Sequence, residues 1–144
     1  MKPENDTFYY KYNKFEELEN KIPDLEEYLC ELGTGLPPEA YKGYEIACPA
    51  HYTIVIDKTF YGRHANDNKR CNTYYEGNPI GEELLSGDKE CGYSPTSIVK
   101  ELCDGRVTCF VRPGSSHFTR NDCPNIFKYL HVKYHCVKDK VSFL

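Results

Sequence analysis

The sequence lacks tryptophan, holds a single methionine, and contains none of the short motifs that mark common enzyme sites. No G-x-S-x-G, H-E-x-x-H, phosphate-binding loop or dinucleotide-binding glycine pattern occurs, so the corresponding chemistries have no support in the sequence. Carboxylates are plentiful, but no spacing among them singles out an acid/base pair. These absences favour a non-enzymatic protein that needs no cofactor.

An excess of positive charge is also absent. The chain has 18 basic and 22 acidic residues, which gives a net charge of −4. Because binding to a nucleic-acid backbone requires a basic face, the composition argues against nucleic acid as a partner. No apolar run is long enough to cross a bilayer, so we expect no membrane insertion by this chain.

The first residues do not resemble a secretory leader. Residues 1–14 contain neither the apolar core nor the cleavage site of a signal peptide. We therefore expect that a signal peptide has been removed or that the chain belongs to a longer protein. Residues 1–25 are interpreted as an N-terminal extension that is ordered in part at best. Within them, Phe15 to Lys21 is compatible with a short acidic helix, which Pro23 ends or replaces with a turn.

Eight cysteines dominate what is present, and none of them forms a C-x-x-C pair. The even number and wide spread predict a disulfide framework, and disulfides place the protein in an oxidising, extracellular setting. Spacing alone leaves about 105 possible pairings open. Cys103 and Cys109 are close enough in sequence to staple a tight turn.

Local patterns predict strands at both ends of the chain and one helix between them. Lys128 to Val137 alternates apolar and polar residues most clearly, and Val107 to Val111 is a further strand. Tyr52 to Ile56 and Thr59 to Tyr61 are interpreted as two short strands. Asn72 to Glu90 is interpreted mainly as loops because it is rich in glycine and polar residues.

The helix is expected to open at Ser94, which can accept bonds from free N–H groups, with Pro95 at the first helical position. Ile98, Val99 and Leu102 form its predicted buried side. The segment from residue 24 to 33 is ambiguous, because its apolar residues fit a helix or a strand that ends at Gly33. Together these elements predict an α+β fold with a high strand content.

Two histidines raise the question of a metal site. His131 and His135 share one face if their segment is a strand, and imidazoles are common metal ligands. No carboxylate-rich motif adjoins them, so we predict hydrogen-bonded or exposed histidines and no metal site. The 13 tyrosines suit either a binding surface or half-buried positions in sheets.

Five segments occur in an order that is typical of one family. They are Tyr61-Gly62-Arg63, the run from Cys103 to Cys109, Asp122-Cys123-Pro124, Phe127-Lys128-Tyr129-Leu130, and Tyr134-His135-Cys136. This pattern resembles the rhamnose/galactose-binding lectin domain of egg lectins and latrophilin-type adhesion receptors. The resemblance covers residues 28 to 137, so a lectin-like domain is assigned to residues 26–138 and a C-terminal tail to residues 139–144.

The resemblance implies a small β-sandwich with one or two helices and long loops, stapled by four disulfides. It implies that Cys30 lies on a strand, which favours the strand interpretation of the ambiguous segment. The implied disulfides are Cys30–Cys71, Cys48–Cys136, Cys91–Cys123 and Cys103–Cys109.

The resemblance also implies a sugar site. By it, Glu31 accepts hydrogen bonds from sugar hydroxyls, Tyr61 packs a ring edge against the sugar, and Lys128 donates to hydroxyls or orders its loop. Arg63 is expected to hold the turn structurally. The loop residues Asn121, Asp122 and Asn125 complete the candidate site, although Asn121, Asn125 and Ile126 depart from the family pattern. Asn125 stands where the family has glycine, and asparagine tolerates the left-handed backbone.

Two functions remain open from the sequence. The first is a carbohydrate-binding domain that recognises a rhamnose- or galactose-like sugar without chemical change. The second is an extracellular adhesion or receptor module that binds a protein partner, with a degenerate sugar site. The expected discriminator is whether Glu31, Tyr61 and Lys128 converge around an open cleft or whether Ile126 or Asn125 fills that space.

Overall fold

The computed structural model describes residues 20–31, 42–73, 77–85, 87–114, 118 and 123–139. These residues form a four-stranded antiparallel sheet in the order β1-β6-β3-β4 and a two-stranded sheet of β2 and β5. A short 3₁₀ helix spans Glu82–Leu84 within the segment interpreted as loops. The strands and the α-helix are β1 (Lys21–Cys30), β2 (Tyr44–Ala47), β3 (Tyr52–Arg63), β4 (Cys91–Tyr93), α1 (Thr96–Cys103), β5 (Thr108–Val111) and β6 (Tyr129–Lys138).

Strand β6 lies in the middle of the larger sheet, between β1 and β3. Its predicted alternation is confirmed: Leu130, Val132, Tyr134 and Cys136 are buried on one face. Because neighbours along a strand point to opposite faces, the residues between them lie on the face turned away from the core. We call this second face the outer face.

Strand β3 is continuous over residues that the sequence analysis divided into two short strands. The register against β6 shifts between Ile56 and Lys58, as in a β-bulge. The side chains of Asp57 and Lys58 are both exposed, which interrupts the alternation and explains the mistaken division. The backbone of Ile56 is bonded by side chains of the helix region: its N–H donates to Asp104 at 2.7 Å and its C=O accepts from Lys100 at 2.9 Å.

Residues 24–30 of the ambiguous segment form part of strand β1. It begins at Lys21, inside the stretch assigned to the N-terminal extension, and it includes Pro23, which was expected to end a helix or start a turn. Proline is tolerated there because β1 is an edge strand and its register shifts between Ile22 and Leu25. Of the expected helix from Phe15 to Lys21, Asn20 is helical, Lys21 begins the strand, and residues 15–19 lie outside the described residues.

Helix α1 begins two residues after Ser94. Pro95 occupies the cap position, and no side chain makes a capping hydrogen bond, so the predicted role of Ser94 is wrong. The Thr96 hydroxyl is instead 2.9 Å from the hydroxyl of Thr59 on β3. Val99 is fully buried as predicted, while Ile98 and Leu102 are half-buried. In the described part of the chain, no helix has the length and apolar character needed to cross a bilayer.

The hydrophobic core joins both sheets and the helix. Ile46 of β2 and Val111 of β5 share one buried cluster with Val99 of α1 and with the inner residues of β3 and β6. In the part of the chain that the structure describes, the protein is therefore a small, sheet-rich domain with α1 as its complete α-helix and with long loops, stapled by four disulfides.

The disulfides connect the elements to the loops. Their pairs are those that the resemblance implies, namely Cys30–Cys71, Cys48–Cys136, Cys91–Cys123 and Cys103–Cys109. The Cys48–Cys136 bond joins the end of the smaller sheet to β6 of the larger one. The Cys103–Cys109 bond staples the turn between α1 and β5.

Candidate functional site

The end of β3 is anchored by a buried arginine. The side chain of Arg63 has no exposed surface. Its guanidinium donates to the carbonyl oxygens of Phe127 at 2.8 Å, Asp67 at 2.7 Å, Arg70 at 2.9 Å and Cys71 at 2.7 Å. One side chain thus holds the loop after β3 and the loop before β6 together, which agrees with the structural role expected for Arg63.

Tyr129 holds the loop after β3 by two further hydrogen bonds. The hydroxyl of Tyr129 donates to Oδ2 of Asp67 at 2.6 Å and accepts from the backbone N–H of His64 at 3.0 Å. Burial works to raise the pKa of Asp67, but the hydrogen bonds from Tyr129 and from the N–H groups of Arg70 and Lys69 outweigh it and lower that pKa. The side chain of Asp67 is therefore ionised, and its carboxylate accepts the hydrogen bonds that fix this loop.

The predicted residues Glu31, Tyr61 and Lys128 meet in this region. Glu31 directly follows β1 and Lys128 directly precedes β6, and the N–H of Glu31 donates to the carbonyl of Lys128 at 2.9 Å. The N–H of Lys128 donates to Oε1 of Glu31 at 3.0 Å, and its Nζ lies 3.5 Å from the same oxygen. The Tyr61 hydroxyl donates to Oε2 of Glu31 at 3.1 Å.

The three side chains differ in their access to solvent. Glu31 keeps 20% of its side-chain surface exposed and Lys128 keeps 12%. Tyr61 is 3% exposed, and its ring packs 5.0 Å from that of Phe118 and 6.1 Å from that of Tyr93. Burial, and next the charge of Glu31, raise the pKa of Tyr61, so its hydroxyl stays protonated and donates.

The cluster has hydrogen-bonding capacity to spare. A carboxylate offers about four acceptor positions, and the described neighbours of Glu31 occupy three of them. The Nζ of Lys128 also donates to the carbonyl of Ile126 at 2.9 Å, which leaves its third proton for another acceptor.

The loop before β6 contributes one further described residue. Asn125 is exposed and has a φ of 67°, in the left-handed region that asparagine tolerates better than most residues. Cys123 is buried in its disulfide to Cys91, which fixes the start of this segment. Asn121 and Asp122 lie outside the described residues.

The two histidines considered as metal ligands are hydrogen-bonded to carboxylates. His135 Nδ1 lies 2.9 Å from the carboxylate of Asp57, and His131 Nε2 lies 3.0 Å from Glu26. His131 Nδ1 also lies 2.9 Å from Nε2 of His64, a contact that the sequence analysis missed. Within the described ranges, no group of three or more His, Cys, Asp or Glu side chains is arranged to hold a metal ion.

Comparison with known proteins agrees with this architecture. Residues 46–136 match the model of the D-galactoside/L-rhamnose binding SUEL lectin domain. The chain is 35% identical over 107 residues to adhesion G protein-coupled receptor L1 of Homo sapiens and of Bos taurus, an alignment covering 72% of the chain and 6% of each receptor.

Two nematode proteins are also similar. The chain is 30% identical over 99 residues to latrophilin-like protein 1 of Caenorhabditis elegans, covering 65% of the chain and 8% of that protein. It is 29% identical over 98 residues to protein eva-1 of the same organism, covering 64% of the chain and 21% of that protein. The chain thus spans a small part of each relative. The family match covers more than half of the chain, and the chain belongs to the D-galactoside/L-rhamnose-binding SUEL lectin domain family.

Proposed function

We propose that this chain is a non-enzymatic carbohydrate-binding domain that recognises a rhamnose- or galactose-like sugar at Glu31 and Lys128. The observation that carries the proposal is the partly exposed carboxylate and ammonium pair of these residues, with an Nζ to Oε1 distance of 3.5 Å. Neighbouring hydroxyls on a sugar require an acceptor and a donor at fixed spacing, and this pair supplies both.

Tyr61 has an indirect role in this proposal. Its ring is packed inside the domain, so its contribution is the hydrogen bond that orients the Glu31 carboxylate. Arg63 helps to position Lys128, because it donates a hydrogen bond to the carbonyl of Phe127, the residue before Lys128. A site whose polar groups are preorganised loses less conformational entropy when a ligand binds.

The loop between Cys123 and Lys128 forms the remaining wall in this proposal. Asn125 offers an exposed amide for sugar hydroxyls, and Asn121 and Asp122 are proposed to add further acceptors. A single site of this size buries little area, so we expect dissociation constants of order 0.1–10 mM for a monosaccharide. Useful avidity then requires several copies or a larger receptor.

The setting proposed for this function is extracellular. Four disulfides are typical of proteins that fold in an oxidising compartment. The matched relatives include an adhesion G protein-coupled receptor, of which the matched region makes up a small part.

That relationship also favours a second candidate, in which the domain is an adhesion module that binds an extracellular protein. Glu31 already accepts bonds from Tyr61 and Lys128, and three residues of the family's loop pattern are replaced here. Both features are compatible with a degenerate sugar site.

The test is a titration of the protein with rhamnose, galactose and glucose, followed by NMR shifts of the backbone amides. We expect saturable shifts near Glu31 and Lys128 with rhamnose or galactose and none with glucose. Lys128→Ala should abolish these shifts, while Lys42→Ala, an exposed lysine before β2, should leave them unchanged.

The opposite result is equally informative. An absence of shifts at about 50 mM of either sugar, well above the expected affinity range, would reject the sugar-binding proposal. The protein-binding candidate would then be the better explanation of the family relationship.

A further inference from the structure

A cleft of about 380 Å³ opens on the outer face of the larger sheet, where β3, β4 and β6 lie side by side. Tyr61 points to the inner face of β3, so the alternation of the strand places Phe60 and Lys58 on the other side. The cleft therefore differs from the Glu31 site. Its lining includes Lys58, Phe60, His64, Glu90, His131 and Lys133.

Two lysines lie side by side in this cleft. Lys58 of β3 and Lys133 of β6 are direct partners in the strand register, and both are exposed. Neither ammonium group has a hydrogen bond or an ion pair with the described residues. Like charges directly opposite each other destabilise a sheet, and a bound anion would relieve this repulsion.

The histidines at the bottom of the cleft form a hydrogen-bonded chain with two carboxylates. His64 and His131 bond to each other at 2.9 Å, and their outer nitrogens bond to Glu90 at 2.8 Å and Glu26 at 3.0 Å. Carboxylates only accept, so these three bonds need three protons on the two rings. Two neutral imidazoles carry two, so all three bonds form together only when the pair takes up a third proton.

Two carboxylates, Glu26 and Glu90, bond to the histidines beside the cleft. Glu26 also lies opposite Lys133 in the register of β1 and β6, and the charge of Lys133 is one of the causes that lower the pKa of Glu26. The charge of Lys133 is therefore balanced in part, while Lys58 has no ion pair with a described residue. The chain as a whole has a net charge of −4, so this positive site runs against the overall charge.

We propose that this cleft binds an acidic sugar residue, whose carboxylate or sulfate group lies between Lys58 and Lys133. The volume is in the range of small-molecule sites, which suits a sugar residue better than an extended peptide. The ring of Phe60, stacked on His64 at 4.6 Å between centroids, supplies an apolar wall, and Glu90 on the rim can accept from sugar hydroxyls.

The experiment titrates the protein with galacturonate and with galactose 6-sulfate, which distinguish a carboxylate from a sulfate ligand. Neutral galactose and sodium sulfate serve as controls at matched ionic strength. We expect saturable amide shifts over residues 58–64 and 131–133 with at least one acidic sugar. Lys58→Gln and Lys133→Gln should each weaken its affinity about fivefold, as expected for the loss of one partly exposed charge contact.

Matched variants separate this cleft from the Glu31 site. Lys42 is an exposed lysine just before β2 and does not line the cleft. Lys42→Gln removes one positive charge there and should leave the affinity for the acidic sugar unchanged. Lys128→Ala should leave acidic-sugar binding at the cleft intact even if it abolishes neutral-sugar binding elsewhere. The same NMR titrations therefore show whether neutral-sugar binding at Glu31 and Lys128 fails, or acidic-sugar binding in the cleft, or both.

Three results would overturn the proposal: no shifts in the cleft with either acidic sugar, equal binding of sodium sulfate, or tighter binding of an acidic tetrapeptide. Retention of full affinity in the Lys58→Gln/Lys133→Gln double variant would also overturn it, because the anion would then lie elsewhere.

Discussion

The hydroxyl of Tyr61 donates to the carboxylate of Glu31 across 3.1 Å, and this bond links the inner face of β3 to the residue that follows β1. Tyr61→Phe keeps the packed ring and removes only the donor. We expect it to lower the free energy of unfolding by about 1–2 kcal/mol, since hydrogen bonds to charged groups are stronger than neutral ones. Urea denaturation measures this change.

The matched control is Tyr44→Phe. Tyr44 is half-buried on β2, and its hydroxyl has no hydrogen bond to a described residue. Its removal should change stability by less than about 0.5 kcal/mol. Equal effects of the two substitutions would mean that the bond to Glu31 contributes nothing.

Arg63 offers the sharpest stability prediction. Lysine preserves the charge but cannot reproduce the planar fork that reaches four backbone carbonyls. Arg63→Lys should therefore destabilise the domain by about 3 kcal/mol or more, because buried carbonyls lose their partners. Arg106→Lys, at an exposed position, should have an effect within about 0.5 kcal/mol of zero.

Arg63→Lys should also disturb the candidate sugar site. Phe127 is held by Arg63 and directly precedes Lys128. We expect amide resonances of residues 123–128 to shift or broaden in Arg63→Lys but not in Arg106→Lys. A variant that is unstable yet has unchanged resonances in this segment would contradict the proposed coupling.

Acid should weaken the domain through His131. Burial, the largest cause, lowers the pKa of His131 below its usual value of 6.5, although Glu26 opposes this shift. The folded state thus binds this proton more weakly than the unfolded chain does. The free energy of unfolding should therefore fall as the pH drops through about 6.5 toward the lowered pKa.

The measurement is urea denaturation of wild type and His131→Gln between about pH 7.5 and 5.5. The variant should show a smaller loss on acidification, whatever its stability at neutral pH. Below this range Glu26 contributes in the same direction, because the bond from His131 lowers its pKa and protonation removes that bond. Parallel pH profiles of the two proteins would refute the role of His131.

The disulfides should differ in their contributions. Cys48–Cys136 spans 88 residues of sequence and Cys103–Cys109 spans 6. In the chain-entropy model the longer loop restricts the unfolded chain more, by about 2 kcal/mol. We expect Cys48→Ala/Cys136→Ala to be less stable by that margin than Cys103→Ala/Cys109→Ala in non-reducing urea denaturation. All four cysteines are buried, so the cavities created are comparable.

Much of the fold was accessible from local patterns. The alternation over β6 was predicted correctly because one of its faces packs on the core throughout. The bulge near Asp57 hid the continuity of β3, since two consecutive exposed residues look like a strand end. Pro23 was assigned to a helix end or turn because only the sheet order identifies β1 as an edge strand.

The candidate sites were less accessible. The resemblance named Glu31, Tyr61 and Lys128, and these residues do meet, but it placed the ring of Tyr61 against the sugar, whereas the ring is packed inside the domain. The outer cleft was missed altogether. The alternation of His131 and Lys133 indicated a polar face of β6, but their partners His64 and Lys58 could not be chosen without the register.

The sequence by itself determined the strand-rich composition, the presence of helix α1, the disulfide-dependent character and the absence of common catalytic motifs. These properties depend on residue types and on neighbours within one turn or strand. Only the tertiary structure decided which side chains meet, as with Glu31 and Lys128, 97 residues apart, and His64 and His131, 67 apart. The physical reason is strand register: a shift of one residue would exchange the inner and outer faces and dissolve both sites.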